Sequence, residues 1–217
     1  MALKHASHWR AIRSSKFRIE RETLYFDRTP MVSYAEQKLM KMHADLICLK
    51  PNRRVLDVGI GLGLFASEVI KKPIGSYTGI DIHPEAIRQV LRTVKPSHPG
   101  TPFSVHLGPW QDVLPSLQIF DSIMYDSWSP PGCGERDLKR FLLALSLRHM
   151  DSGSRVAIFT SGEPRTSRLK IIKFHFWRVD VYRHTISDLG FRDTFNTESL
   201  SIVIGSHPKR LGKWGEG

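Results

Sequence analysis

Hydrophobic residues along the chain gather in short runs set apart by longer amphipathic stretches, a pattern that predicts alternating strands and helices. VLDV at 55–58 is nearly unbroken apolar sequence, as expected of a parallel strand covered on both faces. Similar runs predict strands over 54–58, 77–82, 103–107, 121–125 and 155–159, with helical or turn-forming sequence between them. This order predicts an α/β, doubly wound, mostly parallel Rossmann-like sheet. VDVYRHTISDLGF followed by SLSIVIGS then reads as strand, turn and strand, an antiparallel C-terminal hairpin.

The helical stretches carry their own end signals. Ser33 with Glu36 three residues later is a capping box, and it predicts a helix over 33–48; structural capping is therefore one sufficient role for Glu36. A helix over 84–94 starts on a proline, and one over 135–149 has Leu138, Phe141, Leu142 and Leu145 at helical spacing. The chain is expected to be a single Rossmann-like domain over 31–217, preceded by an arm over 1–30. No repeat or low-complexity tract is present, and no apolar stretch approaches membrane-spanning length, so no membrane is expected as a partner.

Between the first two strands the turn GIGLG frees the backbone from side chains where it reverses sharply and nears a ligand. Asp81 ends the second strand about 20 residues after the glycines, the place from which an acid in such folds hydrogen-bonds ribose hydroxyls. Strand four ends in YDSWSPPGCG, which projects Asp126 beyond the carboxyl end of the sheet, where open α/β sheets bind ligands. Capping of a local turn is the alternative role for Asp126.

Charge changes the picture in one respect. The 217 residues include 32 Lys and Arg against 21 Asp and Glu, a formal net charge of +11, which suits anionic partners. The excess is marked in the first 21 residues. A solvated, partly disordered arm explains it, and an organellar transit peptide or a nucleic-acid contact would share the composition. Cys48 and Cys133 are far apart and lack metal-ligand spacing, so a reduced, cytoplasmic protein without a metal is expected.

Taken with the acid two residues before its first glycine, the GxGxG turn resembles motif I of the class I S-adenosylmethionine-dependent methyltransferases. A dinucleotide enzyme and a non-catalytic Rossmann-like remnant are the alternatives. GPWQDVLPSLQIFDSIMYDSW further resembles the guanidinoacetate methyltransferases and the fungal arginine delta-N-methyltransferases, as does MVSYAEQKLMKMHADLI upstream. The likeness spans 31–128. It implies the class I methyltransferase fold and S-adenosyl-L-methionine as cofactor, with Asp57, Gly59 and Gly61 at its methionyl end and Asp81 and Ile82 at the ribose. Trp110 and Gln111 would border the adenine, and Met40 would lie near the sulfur. Glu36 and Asp126 would hold the substrate. Gln111 stands where the family usually has Glu, and Ser127 and Trp128 stand where it has Thr and an aromatic. The chain also lacks the aromatic-rich C-terminal segment associated with guanidinoacetate methyltransferases.

The implied chemistry has a physical logic. A guanidinium is planar, strongly basic and cationic, and it must approach a second cation, the methylsulfonium. Two carboxylates match its fork geometry and offset that repulsion. Asp126 is expected as the base and Glu36 as the group that orients the other nitrogens, with Trp128 a candidate for stacking on the plane. Arg136 and Arg165 are candidate anchors for a substrate carboxylate, although solvated surface is the more ordinary fate of such residues. The function expected from this is N-methylation of a guanidino group on a small molecule, arginine or a guanidino metabolite. An RNA or protein methyltransferase using the basic surface is the alternative, and a non-enzymatic cofactor-binding scaffold is the third reading.

Overall fold

A computed structural model describes residues 2–129, 132–185 and 199–209. The chain opens with α1 (Ala2–Ser14) and three short strands, β1 (Phe17–Glu20), β2 (Thr23–Phe26) and β3 (Thr29–Ser33), which pair as an antiparallel sheet. A single 3-10 turn, Tyr34–Glu36, leads into α2 (Gln37–Ile47). The remainder alternates: β4 (Arg54–Val58), α3 (Leu64–Val69), β5 (Ser76–Asp81), α4 (Pro84–Thr93), β6 (Phe103–Leu107), α5 (Trp110–Val113) and β7 (Phe120–Tyr125). Then come α6 (Gly134–Ala144), a π-helical extension Leu145–His149, β8 (Met150–Ser161), α7 (Thr166–His175), β9 (Phe176–Thr185) and β10 (Ser199–Pro208).

These strands form one seven-stranded sheet in the order β6-β5-β4-β7-β8-β10-β9. Five run parallel, and β10 inserts antiparallel between β8 and β9. The expected doubly wound sheet and antiparallel end are both present; the turn expected between β9 and β10 lies outside the described residues. Val55 and Leu56 of β4 are both fully buried, one in each of two apolar cores. The first core lies under α2 and α3 and the second under α6 and α7. No described helix is long and apolar enough to cross a membrane.

Part of the segment 1–30 packs on the rest of the domain. Ile12, Leu24 and Phe26 are buried in the same core as Leu39 and Met40, so the small sheet belongs to the body of the domain. Its first hairpin turns at Arg21 and Glu22, both with positive φ (45° and 70°), which matches the strand twist but normally selects Asn or Gly. Without those residues the turn is silent in the sequence. His83 secures the segment. Its Nδ1 accepts the Glu85 backbone N–H at 3.1 Å, so the proton lies on Nε2, which donates to the Ser15 carbonyl at 3.1 Å. The ring also stacks on Phe26, with centroids 4.6 Å apart.

At the centre of the sheet the backbone reverses after β4. The Asp126 N–H donates to Val58 O and the Gly59 N–H to Ile80 O, both at 2.9 Å, which ties the ends of β4, β5 and β7 together. Gly59 has φ 93°, and a Cβ there would stand 2.1 Å from the Asp126 carbonyl oxygen. Gly59→Ala is therefore expected to cost about 3 kcal/mol, lowering the thermal midpoint by roughly 6–12 °C. Gly100→Ala, where a Cβ meets nothing within 4 Å, should leave the midpoint within about 2 °C.

Candidate functional site

Strand order reverses between β5 and β7 on either side of β4, and a cleft of about 390 Å³ opens just beyond their carboxyl ends. Asp57, Gly59 and Gly61 line it from the β4 turn, Asp81 and Ile82 from β5, and Trp110 and Gln111 from α5. Met40 of α2 and Asp126, Ser127 and Trp128 after β7 complete the set read from the sequence. Glu36 is the exception.

Glu36 is 1% exposed and is not among the residues lining the cleft. Its Oε1 accepts the Ser33 backbone N–H at 2.7 Å while the Ser33 hydroxyl accepts the Ala35 N–H at 3.3 Å. It thus closes the capping box at the entry to α2. Of the expected pair, Asp126 lines the cleft, and Glu36 caps the turn through Oε1. Arg136 and Arg165 also lie outside the lining. His43 is fully buried with its Nδ1 2.9 Å from Leu39 O.

The three carboxylates in the cleft shape its electrostatics. Asp57 is 1% exposed, accepts the Tyr77 hydroxyl at 2.7 Å, and is pushed up to about 8 by burial and by the neighbouring charges of Asp126 and Asp81, against the opposing effect of Tyr77. Desolvation raises Asp126 to about 6, with the Arg168 guanidinium pulling the other way. Arg168 is itself held by a 3.1 Å bond to Phe159 O. Asp81 is raised by burial, offset by the backbone N–H groups of His83 at 2.8 Å and Gly61 at 3.1 Å. A site with clustered acids reluctant to ionise favours a cationic ligand, which stabilises their charged forms.

One polar atom in the lining points to a more specific contact. Gln111 Oε1 is buried with no hydrogen-bond partner, beside Trp110, which is 6% exposed and packs edge-on to Phe141 at 5.1 Å. An amide oxygen held beside an indole suits a flat heterocycle with an N–H donor. The residues that sequence reasoning missed come from the first 32 positions: Trp9, Ile12, Leu24 and Phe26 all line the cleft. The His8 ring meets Trp128 at 5.4 Å and Ser15 is tied to His83, so α1 runs across the mouth from the β7 end to the β5 end.

In chain order the seven strands of the large sheet read 3-2-1-4-5-7-6. Similarity to solved structures agrees with that topology. Spermidine synthase from Thermotoga maritima superposes with a TM-score of 0.67 at 17% identity, covering 85% of this chain and 65% of that one. N-methyltransferase NodS from Bradyrhizobium japonicum WM9 gives 0.61 at 14%, covering 81% and 97%. SMU.776, solved in complex with SAH, gives 0.63 at 10%, covering 87% and 57%. The fold is that of the class I methyltransferases.

Sequence comparison adds relatives but no matching family model. Over 192 residues the chain is 29% identical to protein arginine N-methyltransferase 2 of Emericella nidulans and 25% identical to that of Aspergillus fumigatus. Each alignment covers 87% of this chain and 41% of the relative. The chain therefore spans about two fifths of the length of these curated relatives.

The raised carboxylates, Asp81 among them, make stability depend on pH. A folded pKa above the unfolded value contributes stability that is complete below about pH 4 and is lost as pH rises through the folded value, here about 6 for Asp126 and about 8 for Asp57. The thermal midpoint of the ligand-free protein should fall between pH 5 and pH 9. Asp57→Asn should flatten the upper part of that decline, and identical profiles for the two proteins would contradict the assignment.

Proposed function

We propose that this chain is an S-adenosylmethionine-dependent N-methyltransferase acting on the guanidino group of an arginine in a protein. The observation that carries the reading is the convergence of Asp57, Asp81 and Asp126 with Trp110 and Gln111 in one cleft at the switch point of this fold. Bound there, the cofactor supplies a methyl group on a positively charged sulfur. Asp57 and the Gly59–Gly61 backbone hold the methionyl end, and Asp81 takes the ribose hydroxyls. Trp110 and Gln111 enclose the adenine, with the orphaned Gln111 Oε1 accepting its exocyclic N–H. Met40 lies near the sulfur.

Asp126 is the base. The residue is half-buried at the end of β7, and a pKa near 6 leaves it mostly ionised at neutral pH yet basic enough to accept the proton a guanidino nitrogen gives up as it is methylated. Trp128, 43% exposed on the same loop, offers a face to the guanidinium plane. α1 and the small sheet close the cleft with Trp9, Ile12, Leu24 and Phe26, keeping water from the reacting atoms.

The choice of a protein substrate follows the named relatives rather than the site. With Glu36 assigned to the capping box, the paired-carboxylate case for a small guanidino metabolite loses one member. The similarity to protein arginine N-methyltransferase 2 favours arginine within a polypeptide. Methyl-labelled cofactor offered with arginine-containing proteins, free arginine, guanidinoacetate and RNA discriminates among these: label is expected in protein arginine. Label confined to a free guanidino compound or to RNA would overturn the substrate assignment while leaving the cofactor site intact.

Asp126→Asn should lower kcat by about 10²- to 10⁴-fold with cofactor affinity changed far less. In the unaltered enzyme kcat/KM should rise with pH through about 6, as the base of the free enzyme ionises. A variant with full activity would remove Asp126 from the chemistry.

A further inference from the structure

A second surface, unrelated to the cleft, combines exposed apolar side chains with unopposed positive charge. Near their first turns α6 and α7 are linked by the Ser167 hydroxyl donating to Glu135 Oε1 at 2.6 Å; near their ends Ser146 Oγ meets His175 Nδ1 at 3.0 Å. Two links in the same order mean that the helices run side by side in the same direction. At about 100° per residue, Leu138, Phe141 and Leu142 turn into the core, and Leu143 and Leu147 face solvent, 41% and 51% exposed. On the neighbouring helix Ile172 is buried and Phe174 is 58% exposed. Just beyond, Trp177 is 77% exposed, with the Lys209 ammonium 4.7 Å from its ring centroid and bonded to Lys173 O at 2.8 Å.

Cations border this apolar strip on both sides: Arg140 and Arg148 on one, Lys170 and Lys173 on the other, all exposed. Among the described residues of the two helices, acids do not balance them. On α6 Glu135 is taken up by Ser167 and Asp137 is buried, and α7 has none. Contiguous exposed apolar surface edged by charge is a mark of an interaction site. The strip lies at the far ends of the two helices, away from the carboxyl ends of the parallel strands, so it can be covered with the cleft still open.

We propose that the α6–α7 face docks an acidic amphipathic helix of a partner protein, laid in the furrow between the two helices. Leu143 and Leu147, four residues apart, form one wall and Phe174 the other, spaced to take the apolar stripe of such a helix. The flanking arginines and lysines meet carboxylates on either side of that stripe, which fixes orientation and speeds encounter. A second copy of this chain is a poor occupant, because it would bring like charges face to face. Single-stranded nucleic acid satisfies the cations and Trp177 but offers nothing apolar to the two leucines.

The test uses the full chain and a synthetic helix with a leucine stripe flanked by glutamates. Beside it stand a scrambled peptide of the same composition, oligothymidylate and phosphatidylserine vesicles. The ordered helix should bind. Leu143→Ser with Phe174→Ser, both largely exposed and so expected to move the thermal midpoint by only a few degrees, should weaken it roughly tenfold. Lys170→Glu with Lys173→Glu should remove most of its salt dependence. Equal binding of the scrambled peptide would reduce the face to unspecific charge attraction and overturn the proposal. So would tighter binding of oligothymidylate or of vesicles through the same residues.

Discussion

The site depends on a close passage of two backbones at the end of β4. Gly59 crosses over the Asp126 carbonyl with no room for a Cβ, and the Asp126 N–H is tied to Val58 O. That contact brings two strands distant in sequence to a common edge and sets Asp57 beside Asp126. Neither carboxylate would be held near its neighbour, against mutual repulsion, without a backbone constraint of this kind. Their raised proton affinities are the electrostatic consequence. A cation entering the cleft relieves that repulsion, so the same geometry that costs the empty protein stability favours the ligand.

Around this point the surroundings divide the labour. Tyr77 holds Asp57 from behind, and Asp81 accepts N–H groups from Gly61 and His83, so it braces the glycine turn and the start of α4 while keeping lone pairs for a ligand. Arg168, pinned to Phe159 O, tempers the charge cost at Asp126. The small N-terminal sheet shields the cleft, and His83 couples it to the end of β5 through a single imidazole with its proton on Nε2. The net charge of +11 is thus partly carried by a segment that forms a wall of the site, while an acid-free strip of cations lies separately on α6 and α7.

The central parallel strand was legible because a sheet buried on both faces demands apolar runs, and β4 begins and ends where its run does. The acids and glycines at the mouth of β4 and β5 were legible because Asp57, the three glycines and Asp81 lie in consecutive elements whose spacing is set by one strand-turn-helix-strand unit. Glu36 shows where that reasoning stops. Its position four residues before Met40 places both on one helical side, yet the Ser33-to-Glu36 spacing equally predicts a cap, and local sequence does not say which partner a carboxylate takes. The N-terminal hairpin was hidden for a different reason. Its positive-φ turn uses Arg21 and Glu22, whose side chains give no turn signal.

By itself, then, the chain determined the order of its elements, the turn that cradles a ligand, and the acids at the ends of β4, β5 and β7, since these follow from short-range periodicity and from backbone conformations that few residues tolerate. Only the tertiary structure decided which acids share a cleft, that Glu36 is spent on a turn, and that the basic first residues fold into a wall. Those outcomes rest on contacts between segments far apart in sequence, whose energies arise from desolvation and packing that no local pattern records.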